Sequence, residues 1–180
     1  MFIPGFLINA ATFPGVIVHE IAHQLFCDLA KVPVKKVVYY QVFAPYGYVE
    51  HDETPDLKSS FLITVGPFIV ATVLCAVLTF PLTGMLSLKD YGAMVSSWVP
   101  LTCFWLGISI GMHAFPGKEE LDRFRKQIDT KGSFVPLYLL SSAVRMFFVL
   151  ARFGSFFWFD AIYAGLVALI APLILCWSFL

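Results

Sequence analysis

Five long segments with little or no charge constrain the fold of this 180-residue chain more than any other feature. A helix needs about 20 consecutive, mostly apolar residues to cross the hydrocarbon core of a bilayer. Charged residues make up 13% of the chain and hydrophobic residues 59%, whereas a soluble domain typically has about 25% charged residues. This composition excludes an ordinary soluble domain and a disordered chain. The segments are residues 1–18, 59–88, 91–117, 132–150 and 161–180.

We expect each segment to be helical, because backbone N–H and C=O groups in lipid find hydrogen-bond partners only in one another. The predicted fold is an all-α polytopic membrane protein with about five transmembrane helices. It forms a single transmembrane domain over residues 1–180, with a core at 1–125 and additional helices at 132–180. Three prolines are expected to kink or end their helices: Pro14, Pro67 and Pro81.

A shorter segment between the first two apolar segments has a different character. Residues 34–43 are rich in β-branched and aromatic side chains, which favour strands. Turn-forming residues follow at 44–47, and residues 48–50 are Tyr, Val and Glu. This pattern predicts a small β-hairpin or strand after the first helix.

Lysine and arginine are concentrated in two of the loops, and this bias predicts the orientation of the chain. Loops rich in Lys and Arg stay in the cytosol, so we expect the N-terminus outside. From the compactness of the chain we expect a multi-pass protein of a prokaryotic cytoplasmic membrane. The 12 basic residues are balanced by 12 acidic ones, which leaves no basic stripe for nucleic acid. The loop residues are Lys31, Lys35, Lys36 and Lys58 after the first segment, and Lys118, Arg123, Arg125, Lys126 and Lys131 after the third.

The pattern His-Glu-x-x-His occupies residues 19–23, directly after the first apolar segment. Residues four apart lie on one face of a helix, so His19 and His23 can bind one metal ion. Ionisable groups at the centre of a spanning helix cost about 2.5–3.5 kcal/mol each on insertion scales, and a metal ion would compensate that cost. The pattern predicts one Zn²⁺ per chain, with Glu20 as general base for a zinc-bound water whose pKa falls to about 7. The metal centre would lie toward the cytosol.

A catalytic zinc site needs a third protein ligand, and the residues alone leave its identity open. Two polar segments supply candidates: His51, Asp52 and Glu53 after the first span, and His113, Glu119, Glu120 and Asp122 after the third. Cysteines are not among them, because their spacing is unpaired and buried thiols ordinarily serve as small packing residues. The four cysteines are Cys27, Cys75, Cys103 and Cys176.

Several short motifs, in order along the chain, resemble those of the site-2 protease family of intramembrane zinc metalloproteases, in a minimal form without a PDZ domain. The His-Glu-x-x-His pattern comes first, followed by Gly47-Tyr48-Val49 and Gly66-Pro67. Pro116 and Leu121-Asp122 are similar to the family's Asn-x-x-Pro…Leu-Asp-Gly motif. The resemblance implies that Asp122 is the third zinc ligand.

This chain departs from the last motif in three ways, which keep other third ligands open. His113 replaces the asparagine, Arg123 replaces the glycine, and one extra residue follows Pro116. His113, Glu119 and Glu120 therefore remain alternatives to Asp122.

The resemblance further implies a metalloendopeptidase that hydrolyses a peptide bond in or near a transmembrane segment of another membrane protein. Its partners would be the lipid bilayer, a substrate with a transmembrane helix and a regulatory membrane protein, with no nucleic acid. His113, Tyr46 and Tyr48 are candidates for contacts to an oxyanion or to the substrate. Two alternatives stay open: a metal-binding membrane scaffold without turnover, and a zinc hydrolase acting on a lipid or a prenylated substrate.

Overall fold

A computed structural model of the chain describes residues 5–87, 98–131, 135–154 and 158–178. Helices dominate these residues, and a two-stranded antiparallel sheet is inserted between the second and third helices. The elements in chain order are α1 Gly5–Ala11, α2 Phe13–Leu29, β1 Val34–Val38, β2 Tyr48–His51, α3 Leu57–Ser87, α4 Val99–Met112, α5 Lys118–Lys131, α6 Val135–Gly154 and α7 Phe159–Ser178.

The predicted helical fold is confirmed, and two of its helices are long and apolar enough to cross a membrane. These stretches are Leu57–Met85 in α3, with 29 residues, and Pro136–Gly154 in α6, with 19 residues. Within the described part of the chain, α4 and the Phe159–Ile170 portion of α7 are apolar but shorter. The number of spans therefore stays a prediction. Parts of every predicted span lie outside the described residues: 1–4, 88, 91–97, 132–134 and 179–180.

The first predicted helix is divided into α1 and α2 at Thr12. Thr12 has φ −115° and ψ 25°, outside the helical region. Pro14 follows in the first turn of α2, where proline is tolerated because the N–H that it lacks would have no helical partner. In a continuous helix its ring would clash with the carbonyl four residues earlier. Of the two predicted effects of Pro14, a kink or a helix boundary, the structure shows the boundary, because α2 starts beside it.

Helix α3 instead continues through both Pro67 and Pro81. Its hydroxyl side chains bond back to the helix, as Thr72 donates to the Phe68 carbonyl and Thr79 to the Cys75 carbonyl, both at 2.7 Å. These bonds satisfy polar groups of a helix that is otherwise almost entirely apolar. Helix α3 packs against α2, α4, α5, α6 and α7 and so forms the centre of the described structure.

Helices α2 and α4 approach each other closely at Gly15. A Cβ atom at this position would collide with the backbone carbonyl of Ser109 in α4, so only glycine permits this spacing. Ser109 is itself fully buried. The contact lies one helical turn before His19 and positions the His-Glu-x-x-His segment beside the end of α4.

The predicted β segment is confirmed as a hairpin, but its first strand is shorter than expected. Strand β1 ends at Val38, whereas the composition favoured a strand to residue 43. Val42 and Phe43 are 60% and 82% exposed and find no strand opposite them in the described sheet. The pairs are Val34 with His51, Lys36 with Glu50, Val37 with Val49 and Val38 with Tyr48, with a bulge between Val34 and Lys36.

Helix α5 is amphipathic and lies against the start of α3. Leu121, Phe124 and Ile128 are buried, and this face packs with Leu57 and Phe61 of α3. The Gly117 N–H donates to Glu120 Oε2 at 2.7 Å. This bond is one half of a capping box, and it holds the Glu120 carboxylate against the first turn of α5.

Candidate metal centre

The three charged or ionisable residues of the His-Glu-x-x-His pattern are buried together on one side of α2. His19, Glu20 and His23 are 7%, 8% and 3% exposed. On the opposite side of the helix, Ile21 and Leu25 are each 50% exposed. The helix therefore turns its polar residues inward and its apolar residues outward, which is the reverse of an ordinary surface helix.

Glu120 is the acidic residue that the structure brings to the histidine pair. Its Oε1 lies 2.6 Å from His23 Nδ1, and its Oε2 lies 3.6 Å from His19 Nε2. Glu20 Oε2 lies 4.0 Å from His23 Nδ1. Two imidazoles, a bridging carboxylate and a second carboxylate thus converge within a few ångströms, from α2 and from the start of α5.

The prediction that Asp122 is the ligand beside the histidines does not agree with this geometry. Asp122 is exposed, and none of its described contacts reaches His19 or His23. Positions 120 and 122 differ by about 200° around a helix, so they cannot both face α2. Because Leu121 and Phe124 turn into the core, Glu120 shares their side and Asp122 points to solvent. Glu119 is also exposed, with Oε2 4.0 Å from Arg123 Nη2.

Three buried polar atoms at this centre have no hydrogen-bond partner: His19 Nδ1, Glu20 Oε2 and Glu120 Oε1. Glu120 Oε1 lies 2.6 Å from His23 Nδ1, but the two groups are not oriented for a hydrogen bond. Buried groups without partners are costly, and a cation between them would satisfy them. The donor set of two imidazoles and carboxylates fits a divalent ion such as zinc.

The charge state of Glu120 agrees with a ligand role. Burial raises the pKa of this carboxyl, but the neighbouring His23 and His19 imidazoles outweigh burial and hold the pKa well below its usual value. The carboxylate is therefore ionised at neutral pH, as a metal ligand must be.

A cavity of about 420 Å³ opens beside the centre and is lined by His19, Glu20, His23 and Glu120. Gly47, in the segment before β2, lies directly over Glu20. A Cβ atom on Gly47 would come within 2.8 Å of Glu20 Cγ, so the absence of a side chain gives the Glu20 carboxylate its space.

The three residues predicted to contact an oxyanion or substrate all line this cavity: His113, Tyr46 and Tyr48. His113 Nε2 is 2.8 Å from Thr12 Oγ1, which orients the ring at the end of α4. Lys36 Nζ lies 5.3 Å from the centre of the Tyr48 ring. Their location is compatible with the predicted roles, which stay predictions.

A second group of potential ligands adjoins the first and shares His23. The ligand atoms of His23, Cys27 and His51 all lie within 4.8 Å of one another, so these residues could also hold a metal ion. Cys27 was expected to be a packing residue, and the structure adds that its thiol could also bind an ion. The signal in the sequence was the spacing, because positions 19, 23 and 27 repeat every four residues and so follow one helix face.

No protein-family model, no curated protein and no solved structure matches this chain.

Proposed function

We propose that this chain is an intramembrane zinc metallopeptidase, in which His19, His23 and Glu120 hold the ion and Glu20 is the general base. The observation that carries the proposal is the contact of Glu120 with the buried His-Glu-x-x-His residues. The Glu120 carboxylate lies 2.6 Å from His23 and 3.6 Å from His19. A bound zinc ion would polarise the scissile carbonyl and lower the pKa of a water to about 7.

Glu20 has the properties that a general base requires. One of its oxygens, Oε2, is buried without a hydrogen-bond partner, so it is available to accept a proton. The carboxylate also faces the cavity beneath Gly47, where a peptide carbonyl would enter. Glu20 would take the proton of the attacking water and then deliver it to the leaving amine.

The outer faces of the helices support a membrane location. Large apolar side chains are exposed in rows along α3, α6 and α7, far beyond what a soluble monomer presents to water. A bilayer would cover these faces. The exposed residues include Leu62, Ile69, Val73 and Val77 on α3, Leu139, Leu140, Met146, Leu150 and Phe153 on α6, and Ile162, Leu166, Leu169, Ile170 and Leu173 on α7.

The polar elements supply a place for the substrate. Helix α5 and the hairpin are the most polar elements, and both border the candidate centre. A substrate helix must unwind before a carbonyl can be attacked, because its peptide groups are bonded to one another. The unwound segment would run beside Tyr46, Gly47 and Tyr48 and add to the hairpin as an extended strand. Crosslinks from Tyr48 to a trapped substrate, absent from remote Tyr138, would test this mode.

The experiment pairs each central variant with an exposed acidic residue of α5. The purified chain, in detergent and in vesicles, is tested for zinc content and for cleavage of proteins with one transmembrane helix. Glu20→Gln should abolish cleavage and keep zinc, whereas Glu119→Gln should change neither. Glu120→Gln should lose zinc and cleavage, whereas Asp122→Asn should keep both.

Each alternative gives a different result in the same experiment. A wild-type chain that binds zinc but cleaves no transmembrane protein would be a metal-binding scaffold or a hydrolase of lipid or prenylated substrates, and direct assays of those substrates separate the two. Zinc retained by Glu120→Gln and lost by Asp122→Asn would refute the proposed ligand set.

A further inference from the structure

We propose that His23, Cys27 and His51 form a second metal site, selective for thiophilic ions such as Cd²⁺ or Cu⁺, which competes with the zinc set for His23. The three ligand atoms lie within 4.8 Å of one another. Occupation of this site would remove His23 from the zinc set and switch the enzyme off. The ion-binding part of this inference stands by itself, and the competition rests on the proposed zinc set.

Two different elements bring the ligands together. His23 and Cys27 are four residues apart on α2 and share one face, while His51 ends β2 and pairs with Val34 beside the bulge. The His23 and His51 rings meet edge to face, with centres 5.5 Å apart. Cys27 is fully buried and His23 is 3% exposed, so water is largely excluded from an ion held here.

The ordinary interpretation of Cys27 is a packing residue, since it touches Val32, Val49 and Ile63. That role explains the burial of the thiol but not the two imidazoles beside it. Cys75 provides the contrast within the same chain. It is equally buried, and it packs with Ala164 and Val167 in an apolar cluster.

The surroundings of His51 prepare it to bind an ion. Its Nδ1 lies 2.7 Å from the backbone carbonyl oxygen of Asp52. A carbonyl can only accept a hydrogen bond, so Nδ1 carries the proton and Nε2 presents its lone pair. Such a carbonyl contact is the usual outer support of a metal-binding histidine.

His23 can serve only one ion at a time. A neutral imidazole has a single nitrogen with a free lone pair, because the other nitrogen carries the proton. The ligand types then decide which ion goes where, since thiolate favours soft ions and carboxylate favours harder ones. When a thiophilic ion binds, the Cys27 S–H bond breaks, a sulfur–metal bond forms and the proton is released to solvent.

The test uses the purified full-length chain, loaded with zinc, and Cd²⁺ as the probe. We expect Cd²⁺ to produce cadmium–thiolate absorption in the ultraviolet, to release one zinc per chain and to stop cleavage. Cys27→Ser should lose the absorption and the zinc release while it keeps zinc and cleavage. Cys75→Ser, the matched buried thiol, should behave as wild type.

Three results would overturn the inference: no thiolate absorption in the wild type, absorption that persists in Cys27→Ser, or one zinc and one Cd²⁺ held by the same chain. If Cys27→Ser does not fold, His51→Gln takes its place, because His51 is half-buried and should weaken Cd²⁺ binding in the same way. Cadmium–thiolate absorption in a chain that cleaves nothing would refute the proposed proteolysis and leave the second site standing.

Discussion

Replacement of Gly47 by alanine tests whether the space above Glu20 matters for function. The added Cβ would lie 2.8 Å from both Glu20 Cγ and Val16 Cγ1, and 3.0 Å from the Tyr39 carbonyl oxygen. Carbon atoms in contact are ordinarily about 3.5–4.0 Å apart, so these neighbours must move by several tenths of an ångström. The Tyr39 carbonyl belongs to the backbone and yields little, so the flexible Glu20 side chain moves instead.

The expected consequences are a small loss of stability and a large loss of activity. Overpacking of this kind costs about 1–3 kcal/mol of folding free energy. A displacement of about 1 Å at a reacting group costs about 100-fold in rate, so the somewhat smaller shift of Glu20 should lower the rate by up to about that factor. Zinc content should not change, because the new Cβ does not touch the metal ligands.

The assay compares kcat/KM, melting temperature and zinc content of Gly47→Ala with those of wild type. Gly84→Ala is the control, since its Cβ would meet only Phe80 at an ordinary 3.8 Å. Wild-type cleavage by Gly47→Ala would refute the argument that Gly47 positions Glu20, whereas a loss of zinc would show that the damage reaches the ligands themselves.

Two further predictions concern stability. Asp56 Oδ1 accepts from the Ser59 N–H at 2.6 Å and caps α3, so Asp56→Ala should cost about 0.5–2 kcal/mol. That bond lowers the pKa of Asp56. The stabilisation that the Asp56 carboxylate gives is therefore complete above the ordinary carboxyl pKa and disappears as pH falls through the lowered pKa. Melting curves of wild type and Asp56→Ala should differ at neutral pH and coincide at the acid end. Removal of zinc by a chelator should lower the melting temperature of wild type. The lost stability is about 2.7 kcal/mol if the free zinc concentration was 100 times the Kd before the chelator was added. Glu120→Gln should show no such change. An unchanged wild-type melting temperature would contradict a stabilising ion.

Local pattern was sufficient to predict the helical fold and the hairpin. Apolar runs and β-branched segments report on the immediate environment of each stretch, which is why α3, α6 and the β1–β2 pair were predictable. The break at Thr12 was predictable only in part. Pro14 indicated a disturbance of the helix there, but it permits either a kink or a helix start. The end of β1 at Val38 was not, since it depends on which residues find a strand opposite.

The acidic residue predicted as the third zinc ligand shows how far the candidate site could be predicted. The motif order favoured Asp122, but an amphipathic helix decides by rotation which of its residues face inward. Leu121, Phe124 and Ile128 define that buried side, and Glu120 is the acid nearest to it. The acidic residue three positions after Gly117 also matched a capping pattern, a signal that was present in the sequence.

The amino-acid sequence by itself determined that the chain is largely helical and apolar, and that His19 and His23 share a helix face with Glu20 beside them, because these properties follow from composition and from the 3.6-residue period. Only the tertiary structure decided that Glu120 meets the histidines, that Gly47 covers Glu20 and that His51 joins Cys27. These contacts connect residues distant in the chain, and close packing between elements, which no local pattern encodes, brings them together.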